Sequence, residues 1–319
     1  MKVIYNGSAD SRTFKDILSV MVPNMLEADE NLIYLDADLM SCLGTAKYAK
    51  THPDRAINCG IAEGNMAGIA AGLSAAGFNP ICHTFGPFAS RRCYDQVFLS
   101  AGYAKNDLTM IGTDPGVCAA MNGGTHMPFE DVALYRAIPG ATIIDVADTV
   151  QLESVFPQLV YRKGVKYLRV NRKANDRIYE EGSKFEIGKG AVLREGADVT
   201  LIAAGFMVGR ALKAAEMLKE KGIEASVIDM FTIKPLDEAL VIEYAKKTGA
   251  VVTVENHNAM GGLYSAVAEC LAANCPVPAG RVAVEESFGE VGPADYLAER
   301  FGLTAEHIVA EAEKVVGRK

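Results

Sequence analysis

The sequence predicts an α/β protein: two consecutive doubly wound domains with mainly parallel sheets. Three observations carry that reading. Short apolar runs of strand length alternate with amphipathic segments along nearly the whole chain, the pattern of a parallel sheet with helices on both faces. A polar, poorly periodic stretch at 171–190, NRKANDRIYEEGSKFEIGKG, interrupts the alternation, which then restarts. The 319 residues, 50% of them hydrophobic, suffice for two cores of ordinary size. A boundary near 185–190 follows, with one domain expected at 1–187 and another at 188–319. Nothing repeats at solenoid spacing.

The elements follow in order. TFKDILSVMVPNML (13–26) reads as a helix and NLIYL (31–35) as the first buried strand. NCGIAEGNMAGIAAGLSAAG (58–77) looks like a strand end running into a small-residue helix, with Met66, Ala67 and Ala70 on one face. PICHT (80–84), DLTMIG (107–112), ATIIDV (141–146) and KYLRV (166–170) read as strands, and DVALYRAI (131–138) as a helix. In the second half DVTLIAA (198–204), EASVID (224–229), AVVTVE (250–255) and RVAVE (281–285) read as strands. Helices are expected there at 206–222, 236–247 and 262–274.

Composition narrows the function. A formal charge of -8, with no dominant Lys/Arg cluster, argues against a nucleic-acid surface. No apolar run reaches bilayer length, and MKVIYNGSADS lacks the layout of a signal peptide. The seven cysteines are scattered through apolar segments without a CxxC or Cys/His cluster, which reads as reduced thiols in the cytoplasm and no metal site. GxGxxG after a strand, GxxxxGK[ST] and GxSxG are all absent, so dinucleotide, P-loop and serine-esterase chemistry lose support.

Ligands of parallel sheets gather at the carboxyl ends of the strands, and the unusual residues cluster there in the first domain. Asp36 and Asp38 follow the first strand, Glu63 the second, and Phe85 and Phe88 the third. Asp114 and a Gly-containing loop through Asn122 and His126 follow the fourth. Two readings fit Glu63: a first-turn acid satisfied by the helix dipole, or a buried acid with a raised pKa that holds a proton at neutral pH. Phe85 and Phe88, around a Gly-Pro turn, are either core or a stacking surface for a flat ligand. His126, in a long loop after Gly-Gly-Thr, leans toward function. Arg169, Arg172 and Lys173 in LRVNRK are solvated charge or an anion clamp. The Gly-Gly after His257 fits tight packing as well as chemistry, and that histidine stays outside the catalytic set.

GIAEGNMAGIAAGLS, TFGPFASRRCYDQV, GGTHMPFEDVALYRAIPG and VTLIAAGFMVGRALKAAEMLKEKGIEASVIDMFTIKPLD together resemble the C-terminal half of transketolase. The resemblance covers nearly the whole chain, as a pyrimidine-binding domain and then a C-terminal domain. It implies thiamine diphosphate as cofactor. The family holds the diphosphate through Mg²⁺ on a GDG…N motif in another domain, and no GDG occurs here. The chain therefore resembles one subunit of a split transketolase, inactive alone and expected in an α₂β₂ assembly with a partner carrying the diphosphate and Mg²⁺ site.

The same resemblance assigns roles. Glu63 would share a proton with the pyrimidine ring nitrogen and set the reactive imino tautomer. Phe85 and Phe88 would stack on the ring, with Asp38 near the cofactor. His126 would face the donor's oxygens, and Arg12 and Arg172 the substrate's distal phosphate, which suits bidentate arginine. Some positions depart from the family pattern. Ala120-Met121-Asn122-Gly123 stands where Gly-Glu-Asp-Gly is common, so Asn122 replaces an aspartate that contacts a donor hydroxyl. Asp114 occupies a position that is often histidine, Ala62 one that is often arginine, and the phosphate-grip serine corresponds to Ser41 or Cys42. These changes line the substrate channel, so the sugars should differ from the usual pentose phosphates. The expected reaction is transfer of a two-carbon ketol unit from a ketose to an aldose. The rivals are a 2-oxoacid dehydrogenase β subunit, a deoxyxylulose-phosphate-synthase-like enzyme, and a non-catalytic regulatory partner.

Overall fold

The computed structural model describes residues 1–319. In chain order the strands are β1 (Leu32–Asp36), β2 (Ala56–Asn58), β3 (Asn79–Phe85), β4 (Leu108–Thr113), β5 (Thr142–Asp145) and β6 (Val165–Val170). They continue as β7 (Ala191–Arg194), β8 (Val199–Ala203), β9 (Ala225–Asp229), β10 (Thr232–Lys234), β11 (Val251–Asn258) and β12 (Ala279–Val284). Two sheets result, ordered β10-β5-β6-β4-β3-β1-β2 and β12-β11-β8-β9-β7. Every residue of β1, β4, β5 and β6 is buried, as expected of strands covered on both faces by helices.

Local chemistry sets the helix starts. Thr13 caps Phe14–Ala28 through a reciprocal pair: its Oγ1 accepts from Asp16 N–H at 3.1 Å, and the Asp16 carboxylate accepts from Thr13 N–H at 2.8 Å. Helix Glu63–Ala75 buries Met66, Ala67, Ala70 and Ala71, the face expected from their spacing. In the second half of the chain two helices, Ala294–Arg300 and Ala305–Val316, add to those expected there; the latter buries Ile308, Val309, Ala312 and Val315.

Two strands depart from the parallel expectation. β7 pairs antiparallel with β9. β10, from the second half of the chain, pairs antiparallel with β5 at the edge of the first sheet. The two halves therefore share a sheet edge as well as a side-chain interface.

Arg169 dominates that interface, and the reading of it as solvated charge or an anion clamp is corrected. It lies on β6 and is 1% exposed. Its Nε donates to Asp131 Oδ2 at 2.7 Å, its Nη1 to Asp145 Oδ2 at 2.6 Å and its Nη2 to the Asn256 carbonyl of the second half at 2.9 Å. Tyr167 Oη adds a bond to Asp131 at 2.7 Å. A second link runs to Asp229 on β9, whose Oδ2 accepts from Tyr179 Oη at 2.6 Å and Gln151 Nε2 at 2.7 Å. Asp229 Oδ1 has no partner. Burial pushes this carboxyl up to about 7, partly offset by those two donors.

Removing one member of a fully buried charge network typically costs about 3–5 kcal/mol. Arg169→Met should therefore lower the denaturant midpoint by an amount in that range, with both domains affected. Asp229 gives a pH test. Its pKa is higher folded than the ordinary 3.8, so the stabilisation from its neutral form is complete below 3.8 and lost as pH rises through about 7. Asp229→Asn should thus gain melting temperature relative to the parent at pH 8, and the gap should close toward pH 5.

Candidate functional site

The site forms where β3 ends. Thr84 and Phe85 lead into Gly86-Pro87, and a π-helical turn, Phe88–Arg92, follows. A Cβ on Gly86 would stand 2.6 Å from Pro128 Cγ, so glycine lets this turn pack against the loop that carries His126. Phe85, Phe88 and His126 form a three-ring wall. Their centroids lie 6.2 Å apart for the two phenylalanines, 5.5 Å for Phe85–His126 and 5.2 Å for Phe88–His126.

Glu63, the first residue of its helix, is 1% exposed, and its carboxylate is bonded to side chains of the β3 end and the π-helical turn rather than to the helix's own free N–H groups. Its Oε1 accepts from Thr84 Oγ1 at 3.4 Å, and Arg92 Nη1 donates to Oε1 at 2.9 Å and Oε2 at 3.0 Å. The guanidinium of Arg92 lies flat over Phe88, with Cζ 3.8 Å from the ring centroid. Sequence reasoning assigned Arg92 no role. The available signal was an arginine pair, FASRRC, directly after the phenylalanines in an otherwise apolar stretch.

Asp114 and Arg172 face each other on the other side of Phe85. Arg172 donates through Nε to Asp114 Oδ2 at 2.7 Å, its Nη2 lies 2.5 Å from the same oxygen, and its guanidinium lies 4.7 Å over Phe85. Asp114 adopts φ +59, a conformation aspartate tolerates better than most residues. The Cys42 thiol sits beside Arg172, whereas Ser41 presents its carbonyl to Lys15 Nζ at 3.0 Å. His126 is half-buried, and its pKa is lowered by burial first and then by the Arg92 and Arg172 charges, with Asp114 opposing.

The remaining expected residues lie farther out. Asp38 is exposed after β1 and pairs with Asn58 Nδ2 at 2.9 Å. Asn122 is exposed at the end of a 3₁₀ turn, Gly116–Asn122. Arg12 gives its guanidinium to Glu153 at 2.7 and 3.2 Å and to Thr149 at 3.2 Å. Its segment nevertheless runs beside Arg172, with Lys15 N–H bonded to the Arg172 carbonyl at 3.2 Å. Asp36, grouped with the site by its position after β1, is instead internal. It accepts from Tyr34 Oη at 2.6 Å and lies 2.7 Å from His83 Nδ1, a buried partner that sequence reasoning missed.

The second half of the chain holds the His126 loop from behind. Asn256 Nδ2 donates to the Pro115 carbonyl at 2.9 Å, and its Oδ1 accepts from Val117 N–H at 3.0 Å. Gly116 and Gly124 approach Asn256 and Gly289 so closely that a Cβ on either would collide. His257 is fully buried, with Nδ1 2.8 Å from the Asn258 carbonyl, and burial holds its pKa down at about 4. It belongs to this interface.

With fold and geometry in place, the class of protein is defined by two matches. Residues 11–176 match the transketolase pyrimidine-binding domain and residues 188–308 the transketolase C-terminal domain. The chain belongs to the transketolase family, whose members use thiamine diphosphate. More particularly, it is 50% identical over 293 residues to the 6-deoxy-6-sulfo-D-fructose transketolase subunit SqwH of Clostridium sp. (strain MSTE9), covering 92% of this chain and 91% of that one. It is 40% identical to a putative transketolase C-terminal section of Methanocaldococcus jannaschii, covering 88% of each. A solved split-gene transketolase, an inactive β4 tetramer, superposes with a TM-score of 0.88 at 36% identity, over 97% of this chain and 99% of that one. No helix is long and apolar enough to cross a membrane.

Because the Arg92 charge lowers the His126 pKa more than the Arg172 charge does, Arg92→Met should raise the imidazole's midpoint. An NMR pH titration of the His126 ring protons checks this; an unmoved midpoint would show that the Arg92 charge does not reach the ring.

Proposed function

We propose that this chain is one subunit of a split thiamine-diphosphate-dependent transketolase, contributing the glutamate and the ring-binding wall to a site completed by a partner subunit. The partner would carry the diphosphate and Mg²⁺ site, with an α₂β₂ assembly and a domain division at 187/188 as further parts of the reading. The observation that carries it is the placement of Glu63: buried, first in its helix, and bonded to Thr84 and to Arg92, whose guanidinium covers Phe88 of the three-ring wall. Relatives matched over nearly their whole length and described as a subunit, a C-terminal section and a split-gene product support the division of labour.

The residues present fit the cofactor's aminopyrimidine, a flat, polar-edged ring that calls for stacking faces on its sides and an acid at its edge. The chemistry that thiamine diphosphate supplies when bound is reversible cleavage of the carbon–carbon bond beside a ketose carbonyl. Glu63 would meet the ring nitrogen from a position shielded from water. Phe85 and Phe88 stack on the ring and exclude solvent, and Asp38 lines the outer rim. His126, kept neutral by its lowered pKa, accepts and returns a proton at the sugar's carbonyl or hydroxyl oxygens. Arg172, oriented by Asp114 and flanked by Cys42 and Lys15, binds the substrate's anionic end, with Arg12 and Asn122 along the same channel.

The donor in this reading is a ketose with a terminal anionic group, and the relative acting on 6-deoxy-6-sulfo-D-fructose makes a sulfonated ketose the first candidate. A planar guanidinium serves a sulfonate's oxygens as well as a phosphate's. The acceptor is an aldose.

Reconstitution with the diphosphate-binding subunit should create ketol transfer that neither chain shows alone. Glu63→Gln should reduce turnover by at least about a hundredfold, the low end for losing an acid–base group, with the fold unchanged by circular dichroism. Arg172→Met should raise KM for the anionic ketose about tenfold or more while sparing kcat, the signature of uniform binding. On a sugar panel, preference for xylulose 5-phosphate with ribose 5-phosphate would defeat the substrate assignment. Activity that is only modulated, not created, would point to a regulatory subunit instead.

A further inference from the structure

Arg92 makes the two contacts that the proposed site offers to a ring. Its planar guanidinium donates to both oxygens of Glu63, at 2.9 and 3.0 Å, and lies 3.8 Å over the Phe88 face. It has no other hydrogen-bond partner; the neighbouring Arg91 turns away to Glu130 at 2.8 Å. The pair is asymmetric, because the Glu63 side chain is 1% exposed and the Arg92 side chain 44%. Glu63 is fixed at a helix start and cannot leave. Arg92 hangs on one long side chain at the end of the π-helical turn and can swing into water, where it needs no partner. Turns of this kind recur at functional sites.

A buried carboxylate without a partner is strongly disfavoured. A chain waiting for cofactor therefore needs a temporary cation at Glu63, and one bound through a flat group preserves the cleft's shape. We propose that Arg92 is a resident stand-in for the cofactor's aminopyrimidine: it occupies the Glu63–Phe88 site while that site lacks a ring, and is displaced toward solvent when the ring binds. The inference rests on the cofactor-site reading above. It adds that binding is an exchange, in which the ring's contacts replace an existing ion pair and an existing stack. Apparent cofactor affinity is thereby reduced by the fraction of sites that Arg92 fills. Arg92 thus sets the affinity for thiamine diphosphate, and it preserves the cleft in the chain alone.

The experiment measures thiamine diphosphate binding, with Mg²⁺, to the reconstituted complex by titration calorimetry. Arg92→Met should bind about tenfold tighter than the parent. Arg92→Lys, which keeps the charge but loses the planar stack, should fall between them and secures the comparison if the methionine variant assembles poorly. The isolated Arg92→Met chain should also melt below the parent, since Glu63 is left unpaired. Unchanged or weaker binding in both variants would overturn the stand-in role and make Arg92 a bystander or a permanent part of the bound site. Phe88→Ala and Glu63→Gln separate that failure from a deeper one. If they weaken binding while the Arg92 variants do not tighten it, only the stand-in is lost. If they leave binding unchanged, the cofactor-site reading falls with it.

Discussion

A carboxylate taken out of water must be given a partner, and this structure is arranged around that requirement. Glu63, Asp36, Asp114, Asp131 and Asp145 are all buried at or near the carboxyl ends of the first sheet's strands. Asp131 and Asp145 share Arg169; Asp36 meets His83 and Tyr34; Asp114 takes Arg172; Glu63 takes Arg92. The partners differ in permanence. Arg169 is sealed among three elements, while Arg172 and Arg92 reach solvent along part of their length. Sealed pairs hold the fold, and half-open ones define the cleft.

The same requirement explains why the two halves of the chain cannot be read independently. Arg169 completes its hydrogen bonds on the Asn256 carbonyl, and the Asn256 side chain grips the backbone on both sides of Gly116. The loop carrying His126 is therefore held by a residue 130 positions away, and β10 crosses to the first sheet alongside it. The second half contributes no ring to the aromatic wall, yet it fixes one of that wall's three members.

Much of this was legible in the sequence. Strand-length apolar runs located β1, β3, β4, β5, β6, β8, β9, β11 and β12 to within a few residues, because strands covered on both faces are predominantly apolar. The Gly-Pro turn and the Gly-rich loop marked where Phe85, Phe88 and His126 would be displayed. β7 and β10 escaped because four- and three-residue edge strands carry too little periodicity to read. Asp36 was misplaced for a similar reason: its position after a strand is the same as Asp38's, and only the fold reveals that it points inward to His83.

The sequence by itself determined the class of chain, two parallel-sheet units in succession, and the acid at the head of the small-residue helix, since hydrophobic spacing and helix-start position are local properties. The tertiary structure decided which cation meets which acid. Arg12, Arg92, Arg169 and Arg172 are equivalent as letters, but one reaches Glu153, one Glu63, one an internal pair and one Asp114. Long flexible side chains choose partners by burial and distance across the fold, and neither is written in neighbouring residues.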